Sequence, residues 1–117
     1  MLNPPLLTLS RVHGLPMVHL QGELDCYHSP SVKERLFKLI ENGDSDLILN
    51  LNGIDFVDSS GLAVLVAVHR RTLAHGGTLR VLCVNRAIWR VFDITGLQRA
   101  FPVYRDEVAL VASLDAK

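Results

Sequence analysis

What the chain lacks narrows its function before anything it contains does. There is no block of lysines and arginines, and 12 basic residues balance 12 acidic ones, for a formal net charge of zero. The electrostatic footprint of a nucleic-acid binder, or of a protein drawn to an anionic membrane, is therefore absent, and no direct nucleic-acid partner is expected. The longest unbroken apolar run, Leu62 to Val68, falls far short of the roughly 20 residues that span a bilayer, so no membrane insertion is expected. Met1-Leu2-Asn3-Pro4-Pro5 has no basic stretch followed by a long apolar one, so no signal peptide is expected. Cys26 and Cys83 form no C-x-x-C pair and read as neither a disulfide framework nor a zinc site. A reducing cytoplasm is the simplest compartment.

Catalytic motifs are missing too. Asp58-Ser59-Ser60-Gly61 is not a G-x-S-x-G nucleophile elbow, and no histidine is placed beside it. No glycine-rich loop ending in lysine is present, so a P-loop is excluded. His13, His19, His28, His69 and His75 are scattered without ligand spacing, and Cys26 with His28 makes only two candidate ligands. No enzyme, no metal and no cofactor is expected.

The 117 residues fit one compact domain, residues 1–117, with no repeat, low-complexity tract or linker. Leu7 to Val12 alternates as a strand, His13-Gly14-Leu15-Pro16 turns, and Val18, Leu20, Gly22 and Leu24 alternate along a second strand, giving an N-terminal hairpin. Ser29-Pro30-Ser31 predicts a helix start with a hydroxyl cap and proline in the first turn. Val32, Leu36, Leu39 and Ile40 form its apolar stripe, and Gly43 ends it. Leu47 to Leu51 is more continuously apolar and reads as a central strand. A helix is expected from about Ser60 to His75. The alternation of Val64, Val66 and Val68 offers a strand instead, but no turn signal interrupts Leu62 to Ala74, and that length favours helix. Leu79 to Val84 is a strand, and Asn85 caps a helix that ends at Gly96. Phe101 to Tyr104 is a short edge strand because of Pro102, and a last helix runs from Asp106 to about Leu114. Alternation of this kind predicts an α/β fold with a mixed, mostly parallel sheet and helices packed against it.

One stretch carries the functional signal. In Ile54-Asp55-Phe56-Val57-Asp58-Ser59-Ser60-Gly61-Leu62, two serines sit where a loop becomes a helix N-terminus. Free backbone N–H groups and the helix dipole favour negative charge there, so a phosphate is tolerable. The plainer reading is a helix cap, although neither Ser59 nor Ser60 has Glu or Gln three residues on to complete a capping box. Asp25 and Asp58 each follow a predicted strand, at the sheet edge where open α/β folds meet ligands and partners. Both also suit plain turn or cap roles.

The helix after the serines is apolar on more than one side. Leu62, Leu65, Val66, His69 and Leu73 can face the sheet, which sends Ala63, Val64, Ala67 and Val68 elsewhere. Either a second helix or a partner covers that side.

Gly22-Glu23-Leu24-Asp25, Phe56-Val57-Asp58-Ser59-Ser60-Gly61-Leu62 and Phe92-Asp93-Ile94-Thr95-Gly96-Leu97 together resemble the STAS domains of bacterial anti-sigma-factor antagonists. Nearly the whole chain is covered, in order. The serine motif is the specific part, and Ala63 stands where the family often has glycine. The resemblance implies a STAS fold and partner-switching control of transcription. The anti-sigma factor is itself a serine kinase; it would phosphorylate Ser59, and a separate phosphatase would reset the switch. The expected partner-binding set is Asp25, Asp58, Ser59, Ser60, Gly61, Leu62 and, from the apolar residues beyond one stripe of the helix, Val64, in a monomer or weak homodimer. The alternative is a STAS regulatory subunit of another assembly, such as a lipid-transport ATPase complex or a sensory complex.

The physics suits a switch. A phosphoserine brings about −1.5 to −2 charges. Backbone amides at a helix start absorb that charge, so the fold survives while the outer surface changes sign. A dianion forced into a docked surface costs several kcal/mol unless a cation meets it.

Overall fold

The computed structural model describes residues 6–115, so the reading of Met1 to Pro5 lies outside the described residues. The elements run β1 (Leu6–Val12), β2 (Leu15–Leu24), α1 (Ser29–Glu41), β3 (Leu47–Val57), α2 (Ser59–Ala74), β4 (Leu79–Leu82), α3 (Arg86–Thr95), a short 3-10 turn (Leu97–Arg99), β5 (Val103–Tyr104) and α4 (Glu107–Asp115). The five strands lie in the order β1-β2-β3-β4-β5. β1 and β2 form the expected antiparallel hairpin, and the other pairs are parallel.

Period-2 patterning sorts the side chains onto two faces. Val18 and Leu20 of β2, Leu49 and Leu51 of β3 and Val81 of β4 point to one face. There they meet Val32, Leu36 and Ile40 of α1, Val64, Leu65 and Val68 of α2, and Ile88 and Phe92 of α3. Met17, Ile48 and Leu82 point to the other face, where Leu110 of α4 covers them. Three helices therefore lie on one face and one on the other.

Local signals account for the ends of α3. The Asn85 side chain accepts hydrogen bonds from Ala87 N at 2.9 Å and Ile88 N at 3.4 Å, as a capping amide does. Gly96 closes the helix at φ +75°, a left-handed conformation that glycine adopts without a Cβ clash.

Three local expectations change. α1 has no hydroxyl cap: His28 occupies the cap position without a side-chain bond, and Ser29 Oγ is buried with no partner. Asp25 instead orders the turn that leads into α1, as described below. β3 does not stop at Leu51 but runs on to Val57, held by parallel pairing with the end of β2. The exposed side of α2 also differs. Val64, with 5% exposure, and Val68 are core, because α1 lies alongside α2, whereas Leu73 points outward with 56% exposure. A second helix covers Val64 and Val68 there, while Ala63 stays exposed.

Candidate functional site

The site forms where β2 and β3 end and α1 and α2 begin. Asp58 is the N-cap of α2, with extended backbone. One carboxylate oxygen, Oδ1, accepts the Gly61 N–H at 3.0 Å. The other, Oδ2, accepts the Cys26 N–H at 3.0 Å, from the loop after β2. Asp58 N in turn donates to Leu24 O at 3.2 Å. One residue thus satisfies a helix-end donor and ties α2 to the β2–α1 loop.

Gly61 makes that closeness possible. A Cβ there would lie 2.3 Å from Leu24 O and 3.1 Å from Val57 Cγ1. No side chain fits between the first turn of α2 and the end of β2.

Asp25 organises the neighbouring helix start. Its Oδ1 accepts from Tyr27 N at 3.1 Å, from His28 N at 3.0 Å and from the His28 ring through Nδ1 at 2.7 Å. Burial pushes its carboxyl pKa up, but the His28 backbone and ring bonds, the His28 charge and the Tyr27 N–H outweigh burial and hold it below the ordinary value. Asp25 is only 9% exposed, so it shapes the surface from beneath.

The serines differ from their neighbours. Ser59 is the first residue of α2 and is exposed, and among the described residues no protein group hydrogen-bonds its hydroxyl. Ser60 is half-buried. Because Asp58 holds the cap, neither serine is needed for it, and the plain capping reading does not apply to Ser59. The structure brings Asp58, Ser59, Ser60 and Gly61 together on one turn, with Asp25 tied in through the Cys26–His28 loop. Leu62 is half-buried against the main core. Val64, expected from sequence at the partner surface, is buried between helices and offers no free surface.

Sequence reasoning missed Tyr27, which is 73% exposed beside this turn. Only contacts across the fold place it there, through Cys26 and Asp58. Among the described residues, no group of three or more His, Cys, Asp or Glu side chains could hold a metal ion, and no helix is long and apolar enough to cross a membrane.

A five-stranded sheet of this order, with a capped serine turn at the strand ends, is the architecture of a STAS domain. The STAS domain family model matches residues 7–109, and the chain belongs to that family. It is 32% identical over 103 residues to an anti-sigma F factor antagonist of Paenibacillus polymyxa, covering 87% of this chain and 88% of the relative. It is 37% identical over 81 residues to an anti-sigma-B factor antagonist of Bacillus subtilis, covering 69% and 73%. The crystal structure of an anti-sigma factor antagonist from Mycobacterium paratuberculosis superposes with a TM-score of 0.81 at 25% identity, covering 92% of each chain.

Proposed function

We propose that this chain is an anti-sigma factor antagonist that acts by binding and not by catalysis. Its unphosphorylated Ser59 turn docks on an anti-sigma factor serine kinase and releases a sigma factor. Phosphorylation of Ser59 ends that docking, and a phosphatase restores it. Residues 1–117 act as one domain, as a monomer or weak homodimer, in the cytoplasm.

The observation that carries this reading is the division of labour at the start of α2. Asp58 does the structural work, while Ser59 projects outward with a free hydroxyl. The names of the relatives support the same reading. Ser59, Ser60, Leu62 and the exposed Ala63 make the contact surface, and Asp25, Asp58 and Gly61 set its shape.

The test is calorimetric titration of the cognate kinase, with nucleotide, against four forms of the chain. Unmodified protein and Ser59→Ala should bind alike. Ser59→Asp should bind more weakly, and phosphorylated protein most weakly, since it carries more charge and bulk. Equal affinity for all four overturns the switch. Fragment mass spectra should place the phosphoryl group on Ser59, and a phosphate on Ser60 alone overturns the assignment.

A further inference from the structure

A groove of about 560 Å³ lies between α3 and the end of β5, lined by Arg86, Ala87, Trp89, Arg90, Asp93 and Arg105. Three of these six residues are arginines, in a chain with no net charge. Among the described residues, none of the three guanidinium groups has a carboxylate within 4.0 Å. Asp93, the acid in the lining, accepts a hydrogen bond from Gln98 Nε2 at 3.2 Å. Arg86 and Arg90 stand one helical turn apart, where like charges destabilise a helix. Asp93, three residues on, offsets Arg90 but not Arg86, and an incoming anion offsets both.

We propose that this groove docks an acidic, Asp- or Glu-rich segment of a protein partner. Guanidinium forks pair with carboxylates in two-point hydrogen bonds, and three of them suit a run of carboxylates. Arg105 stacks on Trp89 with its Cζ 4.3 Å from the ring centroid, which holds the guanidinium in place. Trp89 also packs against the main core. With Arg105 covering it, the ring is already engaged, which disfavours the stacking a nucleobase would need.

The position of the groove argues for a protein over a small anion. Arg86 follows β4, Arg105 follows β5 and Ser59 follows β3, all at the C-terminal ends of parallel strands. β3 runs on from Asn50, the partner of the last residue of β4, to Val57, so Ser59 stands on the order of 20 Å beyond the end of β4 along the strand. An ordinary interface of about 800 Å² per partner reaches that far, and a small ligand does not. That the segment belongs to the same partner that reads Ser59 rests on the function proposed above.

Trp89 is the single tryptophan of the chain, so its emission reports on the groove. Three probes are titrated at low salt up to about 1 mM: an octaglutamate peptide, inorganic tripolyphosphate and a single-stranded oligonucleotide. The peptide should change Trp89 emission saturably and bind more tightly than the other two. Its affinity should fall about tenfold or more in about 0.3 M salt. Arg86→Gln/Arg90→Gln, at two exposed positions, should abolish the response with the far-UV spectrum unchanged. Arg99→Gln, outside the groove, and Ser59→Asp should leave it intact. Three outcomes overturn the proposal: no response to the peptide, tighter binding of tripolyphosphate or oligonucleotide, or equal loss in Arg99→Gln. If the double variant does not fold, Arg86→Gln and Arg90→Gln are compared singly with Arg99→Gln on the same criterion.

A second arm measures the cognate kinase against Ser59→Ala, with and without the two groove substitutions. A loss of about tenfold or more is expected. Equal affinity overturns the shared partner and leaves Ser59 docking intact. Absence of kinase binding by every form overturns the Ser59 reading, and the peptide titration alone then decides the groove.

Discussion

Asp58 and Cys26 are joined across the fold: the Cys26 backbone N–H donates to Asp58 Oδ2 at 3.0 Å, while Asp58 Oδ1 caps Gly61 N. Removing the carboxylate breaks a helix cap and a tie between α2 and the β2–α1 loop at once. Asp58→Ala should cost about 1–2 kcal/mol, the upper range for lost caps. Asp58→Asn keeps an acceptor oxygen and should cost less. Urea unfolding of the three proteins measures the order.

Gly61→Ala should destabilise more than a surface substitution does, because its Cβ would lie 2.3 Å from the Leu24 carbonyl oxygen. Overpacking of this kind costs about 1–3 kcal/mol. Here backbone, not a flexible side chain, must yield. The midpoint of urea unfolding should fall with the slope unchanged.

Lysine substitutions along α2 should separate core from surface. Val64→Lys places a charge in the core and should lose cooperative unfolding or fold poorly. Ala63→Lys, on the exposed side, should unfold like the parent and weaken kinase binding about tenfold or more. Near-UV circular dichroism and calorimetric titration distinguish the two outcomes.

The lowered Asp25 pKa links stability to acid. Its ionised form is favoured in the native protein, so the stability it contributes is present above the ordinary aspartate value of about 3.9. That contribution is lost as pH falls through the lower native value. The gap in urea midpoint between the parent and Asp25→Asn should therefore be widest near neutrality and close below about pH 4.

The two cysteines should react differently. Burial pushes the Cys83 thiol up to about 11, against the opposing pull of its Asn85 hydrogen bond and of Arg105, while Cys26 is exposed. The thiolate is the reactive form. Iodoacetamide near pH 8 should add one group to the native protein, on Cys26, and a second only in denaturant. Intact-mass spectra count the additions.

Some of this was readable from sequence because the signal is local. Asn85 and Gly96 bound α3 through contacts within a few residues, and both ends fall where their chemistry puts them. The Asp58-Ser59-Ser60-Gly61 turn was readable for the same reason, although the cap belongs to Asp58 and not to a serine. The Ser29 hydroxyl is no cap because the helix begins at Ser29 itself, after a turn in which Asp25 takes the N–H groups of Tyr27 and His28. Val64 lies in the core and not at a partner surface, and Leu73 points outward and not at the sheet, because hydrophobic periodicity assigns one buried stripe. α2 is buried on two sides, by the sheet and by α1. The arginine groove had no footprint in the sequence, since Arg86, Arg90 and Arg105 come together only when α3 meets the end of β5.

The strands lie side by side in the order in which they are made. Each new strand leaving the ribosome therefore adds to an edge that already exists, and no gap waits for a later segment. Only the β1–β2 hairpin closes a short loop; each parallel pair closes a helical crossover, the slower kind of contact to form. At every stage β1 is one open edge and the newest strand is the other, and open edges are the surface most prone to wrong pairing between nascent chains. β5, the last strand, has only two residues, so the finished sheet closes its growing side with a short edge.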